Sequence, residues 1–178
     1  MSAGPDILSK FREENLFDKP LTPARNTLLT KAGSVDTNIY LVEEGSVRLF
    51  MVDGEEERII RFGYPGSIIV ALDSFLTGRA SGYYLQVIRK ARIGVIPKSR
   101  FQEFIHASED HLAMWVAILE DLVLQQLERE KDLLIQSPGE RYARVLQRSP
   151  QLFQHIPHKY IANYLRMTPE TLSRLKKS

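Results

Sequence analysis

One change of pattern near residue 108 limits what this chain can fold into. Between residues 26 and 97 the sequence consists of short β-rich runs that glycines interrupt, such as NIYLVEEG and SVRLFMVDG. Strands of this length, with turns roughly every 8–12 residues, are typical of an antiparallel sandwich or barrel. From residue 108 to residue 136 there is no glycine or proline, and apolar side chains recur three or four positions apart. This spacing predicts one long helix behind a β domain.

The length of this helix predicts a second copy of the chain. A helix of about 28 residues is roughly 40 Å long, which exceeds the expected width of a small barrel. Part of it should therefore pack on its own barrel and part on the same helix of a partner. The alternative is a helix that its own chain covers entirely. The predicted dimer interface consists of Leu112, Trp115, Val116, Leu119, Val123 and Leu127.

After the long helix, the sequence predicts short helices with a basic surface. Ser137-Pro138-Gly139 ends the long helix, and Ser137 can cap a helix over residues 138–148. Another short helix follows at about 150–155, and residues 137–139 form the predicted hinge. Residues 137–178 contain eight Lys/Arg and two acids, a net charge of +6, while the rest of the chain carries −4. This asymmetry is expected of a chain that binds a polyanion. Chance clustering on a solvated surface is the alternative.

The last residues predict a helix-turn-helix. Pro157 can open the first helix, and Arg166-Met167 makes the turn. Thr168 can cap the second helix, with Pro169 at its first position. The outward side chains of that helix suit base edges, since arginine can bind guanine and glutamate can accept a hydrogen bond from cytosine. The predicted DNA-contacting residues are Lys159, Thr168, Pro169, Glu170, Thr171, Ser173, Arg174 and Lys177.

The segment I-P-x-x-x-I-A-x-Y-L-x-M-T-P-E-T-L-S-R resembles the helix-turn-helix of the Crp–Fnr family of bacterial transcription regulators. Upstream, I-Y-L-V-x-x-G-x-V resembles the barrel signature of that family. The resemblance implies an α+β fold with an N-terminal antiparallel β jelly-roll barrel of cyclic-nucleotide-binding type, a long dimerisation helix and a C-terminal all-α helix-turn-helix. Pro169 stands where the family often has a base-contacting arginine, and Arg166 where a turn glycine is common. The sequence leaves no residues for a β wing after the helix-turn-helix.

The resemblance also implies domains and partners. We expect a sensor domain over residues 1–108 with a short helix at about 7–16, a dimerisation helix over 109–136 and a DNA-binding domain over 137–178. A homodimer would bind double-stranded DNA to regulate transcription, with RNA polymerase as a further partner. The rival interpretation is a sensor or protein-interaction module with a vestigial helix-turn-helix. The missing wing and Pro169 favour this rival, whereas the basic charge and the intact outward face oppose it.

Family barrels that bind cyclic nucleotides carry a cassette, G-E-L followed by R-S/T-A. Its glutamate binds the ribose hydroxyl and its arginine binds the cyclic phosphate. Here V-A-L and S-G-Y stand in those places. Loss of the arginine removes a strong, charge-assisted interaction with phosphate. We therefore expect no tight binding of cyclic AMP, and an effector that is unidentified or absent. The predicted ligand pocket consists of Val70, Ala71, Leu72, Arg79, Ser81, Gly82 and Tyr83.

The residue types exclude several other classes of protein. There is no cysteine, so disulfides, cysteine nucleophiles and thiolate-held metal clusters are excluded. The four histidines lie outside the β-rich runs, so the inward ligands of a metal cupin or a haem are missing. No phosphate-binding glycine loop or acid–base set stands out, which predicts a protein that is not an enzyme. No apolar run approaches about 18 residues and no signal peptide is seen, so we expect a cytoplasmic protein without membrane contact.

Overall fold

The computed structural model describes residues 5–177 as a β domain followed by a set of helices. The short helix predicted at about 7–16 is present but ends earlier, because the chain turns at Asn15 with φ +52°. In chain order, the elements are α1 (Pro5–Glu13), β1 (Leu28–Thr30), β2 (Ile39–Asp53), β3 (Glu56–Gly63), β4 (Ser67–Ile69), α2 (Leu72–Thr77), β5 (Tyr84–Ile96), α3 (Lys98–His106), α4 (Glu109–Leu134), α5 (Pro138–Arg148), α6 (Pro150–His155), α7 (His158–Tyr164) and α8 (Pro169–Leu175).

The strands form one curled antiparallel sheet, which confirms the predicted fold class. Their order is β1-β5-β2-β3, and β4 also pairs with β2. The runs NIYLVEEG and SVRLFMVDG, which a glycine separates in the sequence, belong to the single strand β2. Gly45 lies inside this strand with φ +78°, and a Cβ there would lie 2.2 Å from the carbonyl oxygen of Lys90. The register shifts beside Gly45 bend β2. Its first half pairs with β4 and its second half with β3, while β5 pairs with both halves on the other side.

Helix α4 confirms the long helix predicted from the sequence. Its 26 residues span about 39 Å at about 1.5 Å per residue. It begins after Ser108, whose Oγ accepts a hydrogen bond from the backbone N–H of His111 at 3.2 Å. Trp115 packs edge-on against Phe75 and Phe101, with ring centroids 6.2 and 5.0 Å away. The first half of α4 is therefore fixed to its own barrel.

The C-terminal helices pack directly on the barrel. The short helices predicted at 138–148 and 150–155 are present as α5 and α6, and Ser137 Oγ caps α5 by accepting from the N–H of Glu140 at 3.3 Å. One hydrophobic cluster crosses from the sheet to these helices. The predicted hinge at 137–139 therefore lies beside a core that both sides share. The buried members of this cluster are Phe50, Ile59, Phe62, Ile88, Val145, Leu152, Ile156, Ile161, Ala162, Leu165 and Leu172.

An ion-pair cluster joins α4 to α5. Asp132 is fully buried, and its carboxylate accepts from Arg144 Nε at 3.2 Å and from Arg148 Nη2 at 2.5 Å. Glu128, one turn earlier, accepts from Arg144 Nη2 at 2.8 Å and from Lys131 Nζ at 2.7 Å. A buried carboxylate is stable only when it is paired in this way, so the cluster fixes the angle between the two helices.

Within residues 5–177, the helices are all too short or too polar to cross a bilayer. No group of three or more histidine, aspartate or glutamate side chains in this range is arranged to hold a metal ion.

Candidate nucleic-acid interface and ligand sites

Helices α7 and α8 form the helix-turn-helix that the sequence predicts. Arg166 turns the chain between them with φ +52°, a left-handed conformation that costs a residue other than glycine roughly 1 kcal/mol. Thr168 Oγ1 accepts from the N–H of Thr171 at 3.2 Å, and Pro169 takes the first helical position. Leu172 is 1% exposed, so it anchors α8 in the shared core.

The face of α8 opposite Leu172 is open to solvent. Glu170, Ser173, Arg174 and Lys177 are exposed, as the helical spacing predicts. Hydrogen bonds from its own backbone and from the Thr168 hydroxyl lower the pKa of Glu170, so this carboxylate is ionised at neutral pH.

The remaining predicted DNA-contacting residues lie at the same two helices. Thr168 and Pro169 are exposed at the start of α8, and Lys159 is exposed on α7. Thr171 is half-buried, and its hydroxyl lies 3.1 Å from that of Thr168, within the helix cap. The structure thus places these residues on the helix-turn-helix, seven of the eight exposed, with Thr171 in a structural role as well.

Helix α7 is fixed to the edge of the sheet by one asparagine. Asn163 Oδ1 accepts from the backbone N–H of Ile59 at 3.1 Å, and its Nδ2 donates to the carbonyl of Glu57 at 2.8 Å. Both groups belong to β3, the outer strand of the sheet. The side chain of Asn163 therefore takes the hydrogen bonds that a neighbouring strand would take. No local pattern in the sequence indicates this contact, because the two partners lie more than 100 positions apart.

A second contact strengthens the same interface. The Arg48 guanidinium lies between the rings of Phe50 and Tyr160, 4.1 and 4.8 Å from their centroids. It also forms an ion pair with Glu57. Tyr160 is on α7, so this arginine connects the helix-turn-helix to strand β2.

The barrel contains a pocket of about 290 Å³ at the predicted cassette, here called the barrel pocket. Val70, Leu72 and Tyr83 line it, as predicted, and α4 closes it with Leu122 and Gln126. The other four predicted residues lie outside its lining: Ala71 and Ser81 are buried at 0% and 2% exposure, and Arg79 and Gly82 are exposed.

A carboxylate that the sequence reading missed occupies the cassette. Asp73 Oδ1 accepts from the hydroxyl of Ser81 at 2.9 Å, and its Oδ2 accepts from the backbone N–H of Gly82 at 2.9 Å. Ser81 stands at the position of the family's phosphate-binding arginine. The hydroxyl of Ser81 and the N–H of Gly82 therefore already donate to the carboxylate of Asp73. The negative charge of this carboxylate repels a phosphate that approaches the same donors. The spacing of eight residues between Asp73 and Ser81 was visible in the sequence, but only the fold brings them together.

A buried carboxylate, that of Asp36, also lies close to the cassette. Asp36 accepts from the hydroxyls of Thr30 and Tyr40, the latter at 2.8 Å, and its backbone N–H donates to Ser74 Oγ at 2.9 Å. Burial, together with Asp36, raises the pKa of Tyr40 above its usual range. Tyr40 is therefore a permanent hydrogen-bond donor to Asp36 at neutral pH.

The apolar face of α4 is divided between the barrel and the solvent. Four of the six predicted interface residues are exposed by roughly half: Leu112, Val116, Val123 and Leu127. Trp115 and Leu119 are partly buried and line a small apolar gap against the barrel. Leu124 and Leu134, which were not predicted, are 62% and 75% exposed.

Comparison with known proteins agrees with this architecture. Residues 22–108 match the family model of the cyclic nucleotide-binding domain. FixK2 from Bradyrhizobium japonicum has a TM-score of 0.74 at 16% identity, over 89% of this chain and 82% of that one. A CooA mutant from Carboxydothermus hydrogenoformans has a TM-score of 0.71 at 17% identity, and the match covers 93% of this chain and 77% of that one. The c-di-GMP-responsive regulator CLP from Xanthomonas campestris has a TM-score of 0.69 at 15% identity, and the match covers 97% of this chain and 90% of that one. No curated protein sequence matches the chain.

These matches show the fold of the protein. Residues 22–108 match the model of the cyclic nucleotide-binding domain, and most of the chain has the same fold as solved structures of CRP/FNR transcription regulators. The resemblance that the sequence motifs indicate is thereby confirmed.

Proposed function

We propose that the protein is a homodimeric, DNA-binding transcription regulator whose barrel does not bind cyclic AMP tightly. The observation that carries the proposal is the solvent-open face of α8, which presents Glu170, Ser173, Arg174 and Lys177 on a helix that is capped at Thr168 and anchored by Leu172. Side chains of these types read base edges and bind phosphates in the major groove. The net charge of +6 over residues 137–178 adds attraction to the DNA backbone.

The dimer is supported by the second half of α4. Val123, Leu124 and Leu127 are between 48% and 62% exposed on one turn and a half of helix. Contiguous apolar surface of this kind is costly in water and is typical of a helix that packs on another. The occupant that fits best is the same face of a second copy, because a two-fold axis would then place two α8 helices for adjacent DNA grooves.

The ligand preference of the barrel is argued from charge. Asp73 holds the hydrogen-bond donors of Ser81 and Gly82, and the family's phosphate arginine is missing. Arg61 and Asp73 both line the barrel pocket, so its lining has no excess of positive charge, and the pocket suits a neutral effector better than a cyclic phosphate. An effector there would contact Leu122 and Gln126, so it would bias the position of α4 and of the helices that follow it.

The test is selection of DNA from a random library with purified protein at fixed low salt, with and without cyclic AMP and cyclic GMP. We expect one palindromic motif in every tube, with half-sites about one helical turn, or 34–36 Å, apart. The double substitution Arg174→Ala/Lys177→Ala should weaken binding to that motif by about 5- to 150-fold. The exposed barrel pair Arg89→Ala/Lys90→Ala removes the same charge and should leave binding within about twofold, because a distant charge is screened.

A second candidate function is a protein-interaction module that does not bind DNA. The packing of α7 on β3 favours it, because Asn163 and Tyr160 hold the helix-turn-helix against the barrel. The absence of any enriched motif at low salt would support this candidate and contradict the regulator. Enrichment only with cyclic AMP would retain the regulator and contradict the argument from Asp73.

A further inference from the structure

A second cleft adjoins the barrel pocket and lies where the barrel, α4 and the C-terminal helices meet. It is called here the junction cleft and encloses about 430 Å³. The two share Ile60, Arg61 and Gln126 in their linings. Strand β3 and the turn after it form one wall between residues 60 and 64, α4 forms the second through Gln125 and Arg129, and residues 145–152 with Tyr164 form the third. Ligand sites typically have volumes of about 300–1,000 Å³ and lie between domains. The junction cleft therefore has the size and place of a small-molecule site.

The charges in this cleft are all of one sign. Among the described residues that line it, Arg61, Arg129 and Arg148 are basic and none is an aspartate or a glutamate. Arg148 is neutralised, because Asp132 accepts a hydrogen bond from its Nη2. Arg61 and Arg129 form no ion pair with a carboxylate of residues 5–177, although the field of Asp121 reaches Arg61 and that of Asp132 reaches Arg129. Asp121 itself accepts from Gln125 at 2.6 Å.

Arg129 has an unused donor inside the protein. Its guanidinium lies over Tyr164, 3.6 Å from the ring centroid, and its Nη2 donates to the carbonyl of Tyr164. Its Nη1 is buried and has no hydrogen-bond partner in the described part of the chain. Burial lowers the pKa of Arg129 and of Arg61, yet an arginine stays protonated at neutral pH. An unsatisfied, charged donor in such a place is unfavourable, and an anion would satisfy it.

We propose that the junction cleft binds a phosphate-bearing small molecule, whose phosphate oxygens accept hydrogen bonds from Arg61 and Arg129. Two guanidinium groups without acids between them match the charge and the planar donor geometry that phosphate requires. Tyr64 and Tyr164 line the same cleft and suit a flat apolar part of the ligand. The barrel pocket fits this ligand less well, because its lining contains Asp73 as well as Arg61, whereas the described lining of the junction cleft contains no acid. The proposal is independent of whether the protein binds DNA.

The test is calorimetric titration of the full chain with pyrophosphate at low ionic strength. We expect one site per chain. Arg61→Gln and Arg129→Gln should each lower the affinity at least tenfold, roughly the effect of losing one charge-assisted hydrogen bond. Arg89→Gln, at an exposed position of β5, removes the same charge and should leave the affinity within about twofold. Arg129→Gln also loses its contacts with Tyr164, so thermal unfolding is measured for each variant. Arg61→Gln removes no such contact. If Arg129→Gln is unstable, Arg129→Lys takes its place, because it keeps a positive charge beside Tyr164 and loses the planar donor geometry.

Three results would overturn the proposal. The first is no measurable binding of pyrophosphate. The second is binding that Lys176→Gln/Lys177→Gln abolishes and the two cleft variants do not, which would place the anion on the basic end of the chain. The third is a loss with Arg61→Gln alone, because Arg61 also lines the barrel pocket whereas Arg129 does not.

Discussion

At the residue scale, Asp73 carries the argument about the proposed ligand preference of the barrel. Its carboxylate is held by Ser81 and Gly82, the positions that the cassette offers to a phosphate. Two effects then disfavour a cyclic nucleotide: the arginine is missing, and an anion already occupies the donors. Restoring the arginine alone should fail, because the introduced guanidinium would pair with Asp73 in place of a ligand.

This argument predicts the outcome of two substitutions. Ser81→Arg should not create saturable binding of cyclic AMP. Ser81→Arg/Asp73→Ala should bind at least tenfold more tightly than Ser81→Arg, because it frees both the guanidinium and the N–H of Gly82. Binding is measured by calorimetry, with Ser81→Arg/Asp110→Ala as the matched control, since Asp110 is exposed at the start of α4. Equal affinities of the two double variants would show that Asp73 does not compete with the phosphate.

At the scale of elements, α4 makes two separate sets of contacts with its own chain. Its N-terminal half is packed on the barrel through Trp115, Ile118 and Leu122, and its exposed apolar residues continue past that contact. Its last two turns hold Glu128 and Asp132, which fix α5. The helix therefore connects the barrel to the C-terminal helices, and its exposed apolar residues form the proposed dimer surface between these two contacts.

The proposed dimer surface on α4 leads to a prediction about the oligomeric state. Val123→Asp should convert the protein into a monomer, because it places a charge in the centre of the proposed helix pair and desolvation of that charge is costly. Light scattering during size-exclusion chromatography measures the change. Val35→Asp is the matched control, since Val35 is 59% exposed and Val123 is 58% exposed. A wild-type protein that is already monomeric, or a dimer that survives Val123→Asp, would contradict the proposed interface.

The contacts of Glu128 predict a pH dependence. The hydrogen bond from Lys131, with Arg144, lowers the pKa of Glu128 below its usual range. A group with a depressed pKa stabilises the fold above its unfolded pKa of about 4.3, and this contribution is lost as the pH falls through the folded value. Glu128→Gln should therefore destabilise the protein at pH 7 and have no effect well below about pH 4. Urea unfolding at both pH values checks this, with the exposed Glu120→Gln as control. An equal effect at both values would mean that the charge of Glu128 contributes nothing.

The sequence predicted the helices better than it predicted their contacts. The limits of α5 and α6, the start of α4 and the caps at Ser137 and Thr168 follow from signals within a few residues, such as proline positions and apolar spacing. The two runs form the single strand β2 because Gly45 allows close contact with the backbone of Lys90. The hydrogen bond of Asn163 forms only because the fold brings β3 next to α7. Both are long-range and have no local pattern. Asp73 and Arg61 were missed for the same reason, since only the fold shows which side chains surround them.

For the whole molecule, the position of the C-terminal helices relative to the barrel is the feature that the proposed regulation would change. Asn163 bonds to β3, Arg48 contacts Tyr160, and one hydrophobic cluster spans both parts. An effector in either pocket would change the proposed DNA binding only to the extent that it binds the packed and the released arrangement with different affinity.

The asparagine contact can be tested directly. Asn163→Ala removes both hydrogen bonds to the edge of β3, and the amide of Ile59 should then exchange with solvent at least tenfold faster, because each bond contributes about 1 kcal/mol. Hydrogen exchange followed by mass spectrometry or NMR measures this. Gln154→Ala, at an exposed position on α6, is the control and should leave the amide of Ile59 unchanged. Unchanged exchange in Asn163→Ala would show that the hydrophobic cluster alone protects this edge.

The edge that Asn163 covers also bears on solubility. When the C-terminal helices move away, the backbone of β3 at residues 57–59 presents an open row of donors and acceptors, to which a strand of another molecule can add. The released form should therefore be the form that self-associates, and its population should set the concentration at which the protein precipitates. Conformational switching and aggregation would then depend on the same side chain, that of Asn163. The more often the helices leave the barrel, the lower the protein concentration must be to avoid precipitation.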